Sequence, residues 1–143
     1  DEEEDSGDGE EEEEEEGGET VVLDPQVVNA ISWARHGRKL QLASLLSTGF
    51  SADSRGDRGR TLMMFAAINN QKAILRLLDS FGADVNAADS HHGLTALHYA
   101  HFYGYGPGLG GYMVAKLGAD AQALDKQGRT CFDLAGARKM ASP

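Results

Sequence analysis

Apolar positions recur along this chain with the spacing of short amphipathic helices, grouped in pairs. Val27, Val28, Ile31 and Ala34 fall at helical intervals after Asp24-Pro25, an N-cap followed by a first-turn proline. Gly37 interrupts that pattern, and Leu40, Leu42, Ala43, Leu45 and Leu46 predict a second helix ending before Gly49. A third helix is expected over about Leu62 to Asn69 and a fourth over about Lys72 to Phe81, with Gly82 as the glycine just past its end. Trp33 reads as core, because large aromatic side chains are mostly buried. Further on, Gly104-Tyr105-Gly106-Pro107-Gly108-Leu109-Gly110-Gly111 breaks the pattern. Helix-interior glycine costs about 1 kcal/mol against alanine, so the next helix should be short, roughly Leu109 to Leu117, behind a mobile loop. A last helix is expected from Cys131 to about Met140.

The pairs share wording. Gly59-Arg60-Thr61-Leu62-Met63-Met64-Phe65-Ala66-Ala67 leads through a second helix to Gly82-Ala83-Asp84-Val85-Asn86-Ala87. Gly93-Leu94-Thr95-Ala96-Leu97-His98-Tyr99-Ala100 repeats it, with Gly118-Ala119-Asp120 behind, and Gly128-Arg129-Thr130-Cys131-Phe132-Asp133-Leu134-Ala135 begins it again. The spacings are 34 residues from Gly59 to Gly93 and 35 from Gly93 to Gly128. This closely resembles the ankyrin pattern G-x-T-P-L-H-x-A-A. The fold implied is an all-α ankyrin-repeat solenoid of about three and a half helix-turn-helix units with β-turn hairpin tips. Residues 21–49 read as a degenerate N-terminal capping repeat, 57–89 and 90–125 as repeats, and 126–143 as a partial C-terminal one, making 21–143 the repeat domain. Ala66 and Ala67 are small where helices of neighbouring units approach closely.

Charge divides the chain again. Residues 1–20 hold 14 of the 23 acidic side chains and no basic one, so the remainder carries 9 acidic against 13 basic residues. With nothing apolar to bury, 1–20 reads as a disordered acidic N-terminal tail. It is either a solvated, self-repelling tail or an electrostatic lid competing with ligands for the basic domain; it could also contact a basic partner such as a histone. Asp1 in place of Met reads as a fragment or processed form. One cysteine, Cys131, allows no internal disulfide and points to a reducing compartment.

No chemistry is expected. Gly106-x-Gly108-x-x-Gly111 matches a dinucleotide-loop spacing but follows a helix, where such a loop must follow a strand. The five histidines lack ligand spacing for zinc; His98 is the T-P-L-H histidine, expected to bond backbone between units. Neither catalytic residues, metal nor cofactor is expected, and the function class is a protein–protein interaction module. Its candidate binding face combines tips and ends of first helices. The middle holds Phe102, Tyr103, Leu94 and Ile68, and around it lie Arg35, Arg58, Arg60, Arg129 and Arg138; Asn69 at a helix end and His91 and His92 at a tip belong to the same face. Aromatic anchors ringed by arginines suit a peptide-binding groove; the alternative is that Phe102 and Tyr103 pack on the glycine-rich loop.

A narrower resemblance rests on Gly59-Arg60-Thr61, Phe65-Ala66, Asp89-Ser90-His91-His92-Gly93-Leu94-Thr95-Ala96-Leu97-His98, Leu117-Gly118-Ala119-Asp120 and Asp125, and on the helix Ala30–Arg35 leading into Leu42–Leu46. Residues 27–138 resemble the ankyrin region of the ankyrin/chromodomain subunit of the chloroplast signal recognition particle. That resemblance implies a chaperone in the chloroplast stroma for light-harvesting chlorophyll-binding proteins, with a client loop between two transmembrane segments held against Tyr103 near Arg60. His91 stands where that family tends to have Arg, and the chain contains no chromodomain. The competing expectation is a generic ankyrin scaffold for a cytosolic or nuclear protein.

Overall fold

The structure, a computed structural model, describes residues 23–135. Six helices follow one another: α1 (Pro25–His36), α2 (Lys39–Leu46), α3 (Leu62–Ile68), α4 (Lys72–Ser80), α5 (Ala96–Phe102) and α6 (Gly111–Leu117). No named strand occurs among the described residues; the only β-type pairing there is an isolated antiparallel bridge at each of two tips, Arg55 with Thr61 and Ala88 with Thr95. The acidic run 1–20 and Arg138 lie outside the described residues.

Local chemistry sets the helix starts. Asp24 Oδ1 accepts the Gln26 amide at 2.7 Å, capping α1 with Pro25 in the first turn, where no backbone donor is needed. Thr61 caps α3 by accepting the Met64 amide at 3.3 Å, and Thr95 caps α5 by accepting the His98 amide at 3.3 Å. At the end of α4, Gly82 adopts φ +86°, a conformation that costs a side-chain-bearing residue strain.

Packing follows the pairing. α1, α3 and α5 form one layer, with α3 in the middle touching both others; α2 lies on α1 and α4, and α4 backs α3. Ala66, Ala67 and Ala100 have no exposure at all, so the layer closes over small side chains. Leu62, Met63, Met64, Ile74, Leu75, Leu78 and Leu97 fill the space between layers. Trp33 is half-buried, packed on this core from the first unit.

Adjacent tips are joined by backbone bonds: Ser90 N–H donates to Arg58 O at 3.0 Å, and Lys126 N–H to His92 O at 2.9 Å. At the opposite end of the units, Asp53 Oδ1 accepts the Asp84 amide at 2.8 Å and Asn86 Oδ1 the Asp120 amide at 2.7 Å. Every such bond joins one unit to the next.

Two expectations need correcting. The helix expected from Leu109 starts at Gly111, because Gly106–Gly110 is itself wound, as a π-helical turn closed by Gly110 N–H to Tyr105 O at 3.0 Å. Gly106, Leu109 and Gly110 are buried, so this segment is packed structure rather than an open loop. The helix expected from Cys131 is a single 3₁₀ turn, Phe132–Leu134, since Ala135 leaves helical space with ψ 118°. The remainder of that expected helix, 136–140, lies outside the described residues.

Candidate interaction face

One position in each full unit shows how the tips are anchored to the helices. The third residue after the threonine that opens each unit's first helix or turn is Met64, then His98, then Asp133, and each takes that threonine's amide. Thr61 N–H reaches Met64 Sδ at 3.3 Å, Thr95 N–H reaches His98 Nδ1 at 3.2 Å, and Thr130 N–H reaches Asp133 Oδ2 at 2.9 Å. Because His98 Nδ1 accepts, its proton sits on Nε2, which donates to Arg129 O of the following unit at 3.0 Å. His98 is therefore a structural tie between units, buried to 1% exposure.

Asp89 organises the middle tip. Its Oδ1 accepts the amides of His92 and Gly93, each at 2.8 Å, and of Leu94 at 3.3 Å, while Oδ2 accepts the Tyr99 hydroxyl. Burial pushes this carboxyl up, but the Tyr99 hydroxyl and the three amides outweigh it and hold Asp89 below the ordinary carboxylate range. Burial and the adjacent Asp89 charge push Tyr99 far above the usual phenol range, so it remains a hydroxyl donor. Asp125 repeats the arrangement in the last tip. It accepts the Gln127 and Arg129 amides at 2.8 and 2.9 Å and pairs with Arg129 Nε at 2.9 Å. Burial raises its carboxyl too, and the contacts with Arg129 and Gln127 prevail, leaving it lowered. Asp89 also accommodates the extra residue of the His91-His92 tip, because one carboxylate collects three successive amides.

The arginines of the face play different parts. Arg60 is engaged: its Nη2 pairs with Asp57 at 2.7 Å and its guanidinium lies 4.8 Å from the Phe65 ring centre. Arg129 is held by Asp125. Arg58 is exposed on a left-handed turn at φ +61°. Arg35 is exposed at the end of α1, where its carbonyl accepts Gln71 Nε2 at 3.0 Å. Arg55 spans two units through Nη1, donating to Gly59 O at 2.6 Å and Ala88 O at 2.8 Å.

Helix length splits the predicted face in two. Seven residues of α3 or α5 rise about 10 Å, so Arg58, Arg60, His91, His92, Leu94 and Arg129 gather at the tip end, with Arg35, Ile68, Asn69, Phe102 and Tyr103 at the other. His91 and His92 are exposed and touch edge-on, ring centres 4.3 Å apart. Leu94 and Ile68 are half-buried against the core, and Asn69 Nδ2 donates to Phe65 O at 2.9 Å. Phe102 and Tyr103 are half-buried and meet edge-to-face at 5.0 Å. Phe65 and Tyr99, one residue after the T-P-L-H position, join the two ends, since Arg60 stacks on one and the other is bound to the tip through Asp89. Neither belongs to the face expected from the sequence; their signal there is an aromatic at the same position of two successive units.

The sequence profile of the family described as ankyrin repeats, in three copies, matches residues 30–109. The chain belongs to the ankyrin-repeat family. The ankyrin stack is 33% identical over 100 residues to NF-kappa-B inhibitor delta of Mus musculus, covering 70% of this chain and 29% of that protein. It is 40% identical over 76 residues to Ankyrin repeat and SAM domain-containing protein 6 of Rattus norvegicus, covering 53% of this chain and 8% of that one. Palmitoyltransferase Hip14 of Drosophila melanogaster is 29% identical over 101 residues, which cover 70% of this chain and 15% of that protein. The chain thus spans less than a third of the length of each relative. Ankyrin repeats are protein-interaction modules, generally non-catalytic. The ankyrin part of the sequence resemblance rests on these matches; the narrower likeness to the chloroplast subunit rests on sequence wording alone. No group of three or more His, Cys, Asp or Glu able to hold a metal occurs among the described residues, and no described helix is long and apolar enough to cross a membrane.

Proposed function

We propose that the ankyrin stack holds an extended segment of a protein client across the inner layer of helices, from the tip arginines to the Phe102–Tyr103 pair. The observation that carries this reading is that the two rings are only half-covered and set edge-to-face, at the end of α5 beside Ile68 and Asn69. Partly accessible aromatics in a fixed geometry give contact area at little entropic cost, as binding anchors do. The resemblance to the chloroplast subunit supplies the client: the loop between two transmembrane segments of a light-harvesting chlorophyll-binding protein, bound in the stroma. A titration of the domain with a peptide of such a loop should show Tyr103→Ala binding at least tenfold more weakly than wild type, with circular dichroism used to verify that the variant is folded at the titration temperature. Equally weak binding by both proteins defeats the reading. The match to NF-kappa-B inhibitor delta over 70% of the chain favours a second reading, an ankyrin scaffold for a cytosolic or nuclear partner. Capture of such a partner through the same Tyr103-dependent face, with no response to the loop peptide, would establish that one instead.

A further inference from the structure

The first unit is strongly one-sided in charge. Between Pro25 and Ala52 there is no Asp or Glu, while Arg35, Arg38 and Lys39 sit at the turn joining α1 to α2. All three are exposed, as is His36 beside them. The neighbouring unit adds Lys72 to the same edge. Gln71, one residue before it, bonds Arg35 O, and a Cβ at Gly37 would lie 2.7 Å from Gln71 Oε1, so the two turns are in contact. Lys72 Nζ in turn lies 4.5 Å from the ring centre of Tyr112 in α6, carrying the edge onto the third unit. None of Arg35, Arg38, Lys39 or Lys72 forms an ion pair among the described residues, where the pairs are Arg60–Asp57 and Arg129–Asp125.

The counter-charge lies in the same chain. Residues 1–20 carry 14 carboxylates and no base, seven of them consecutive, Glu10–Glu16. Six residues, 17–22, separate that run from Leu23, which packs on the core beside the Asp24 cap, and can span about 20–22 Å when extended. The twelve residues of α1 rise only about 18 Å, so the run can reach the far end of that helix without disturbing the fold. Tethering on such a linker gives an effective concentration on the order of millimolar, enough for contacts that would each be weak between separate molecules.

We propose that the acidic segment Glu10–Glu16 docks in cis on the basic edge formed by Arg35, Arg38, Lys39 and Lys72. The proposal does not depend on the identity of the client.

The test compares amide chemical shifts of the full chain with those of a variant carrying Gln at positions 10–16. At about 0.01 M salt, where charges act over ~30 Å, the two should differ at Arg35–Lys39 and at Lys72. The differences should vanish at about 1 M salt, where the range is ~3 Å. A second variant with Arg35, Arg38 and Lys39 replaced by Gln should already look undocked; its substitutions are on exposed side chains, and circular dichroism should remain that of the parent. Differences centred on Arg58, Arg60 and Arg129, or none beyond the substituted run, overturn the proposal. So do differences that scale with protein concentration, which would place the run on a second copy or a separate basic partner.

Discussion

His101 shows how much one side chain can carry that its neighbours in sequence do not reveal. Its ring is buried on α5, with Phe132 edge-on at 5.2 Å. Neither ring nitrogen has a hydrogen-bond partner among the described residues. Burial, with nearby His98 adding to it, holds the imidazole below its ordinary range. The folded state therefore favours neutral His101, while the unfolded chain takes up a proton near pH 6.5. Stability is fully present above that value and falls as the pH drops below it, until folded His101 itself protonates. The loss is at most roughly 1.4 kcal/mol per pH unit crossed. His101→Leu should flatten the difference in denaturant midpoint between about pH 7 and about pH 5; an unchanged difference would assign the acid sensitivity elsewhere. The same scale explains what the sequence concealed about the arginines. Their presence at the tips was legible from spacing, but Arg60 and Arg129 are held by Asp57 and Asp125, and pairing between side chains three or four residues apart in a turn depends on backbone shape.

At the scale of the element, the Gly106–Gly110 turn was the least legible stretch. Glycine content argues for an open loop, and local rules see nothing else. What winds the segment is distant in kind: a Cβ on Gly106 would sit 2.6 Å from His101 Nδ1, and one on Gly110 2.8 Å from His101 Nε2. The two glycines thus face the two ring nitrogens and let the backbone seal them from water. Gly108 faces open space. Gly106→Ala and Gly110→Ala should each cost about 1–3 kcal/mol through overpacking against the ring. Gly108→Ala should be neutral or stabilising by up to about 1 kcal/mol. Chemical denaturation of the three variants checks this, and equal effects at all three would remove the packing account. The paired helices were legible to within about two residues, because amphipathic spacing and capping residues act locally. The 3₁₀ turn at Phe132–Leu134 was not, since a helix of one turn and one of three begin with the same wording.

Across the whole molecule, the repeat order was readable because 34- and 35-residue periodicity needs no contact information. The ties between units were not, apart from His98. In a stack, stability is close to a sum of unit terms and neighbour terms, so damage to a tie should stay local. His98→Leu removes the bond to Arg129 O, which keeps only the Asp125 amide, and leaves the Thr95 amide without its Nδ1 acceptor, a cost of about 1–3 kcal/mol. Amide exchange should accelerate most in residues 125–135, with α3 much less affected; uniform acceleration would mean that the stack opens as one body. The tip bonds have a genetic corollary as well. Ser90 to Arg58 and Lys126 to His92 use only main-chain atoms, so their specificity lies in shape rather than in lettering. A block of one period copied in frame by unequal crossing-over would meet its neighbours through bonds already satisfied, and the protein can lengthen without first inventing a new interface.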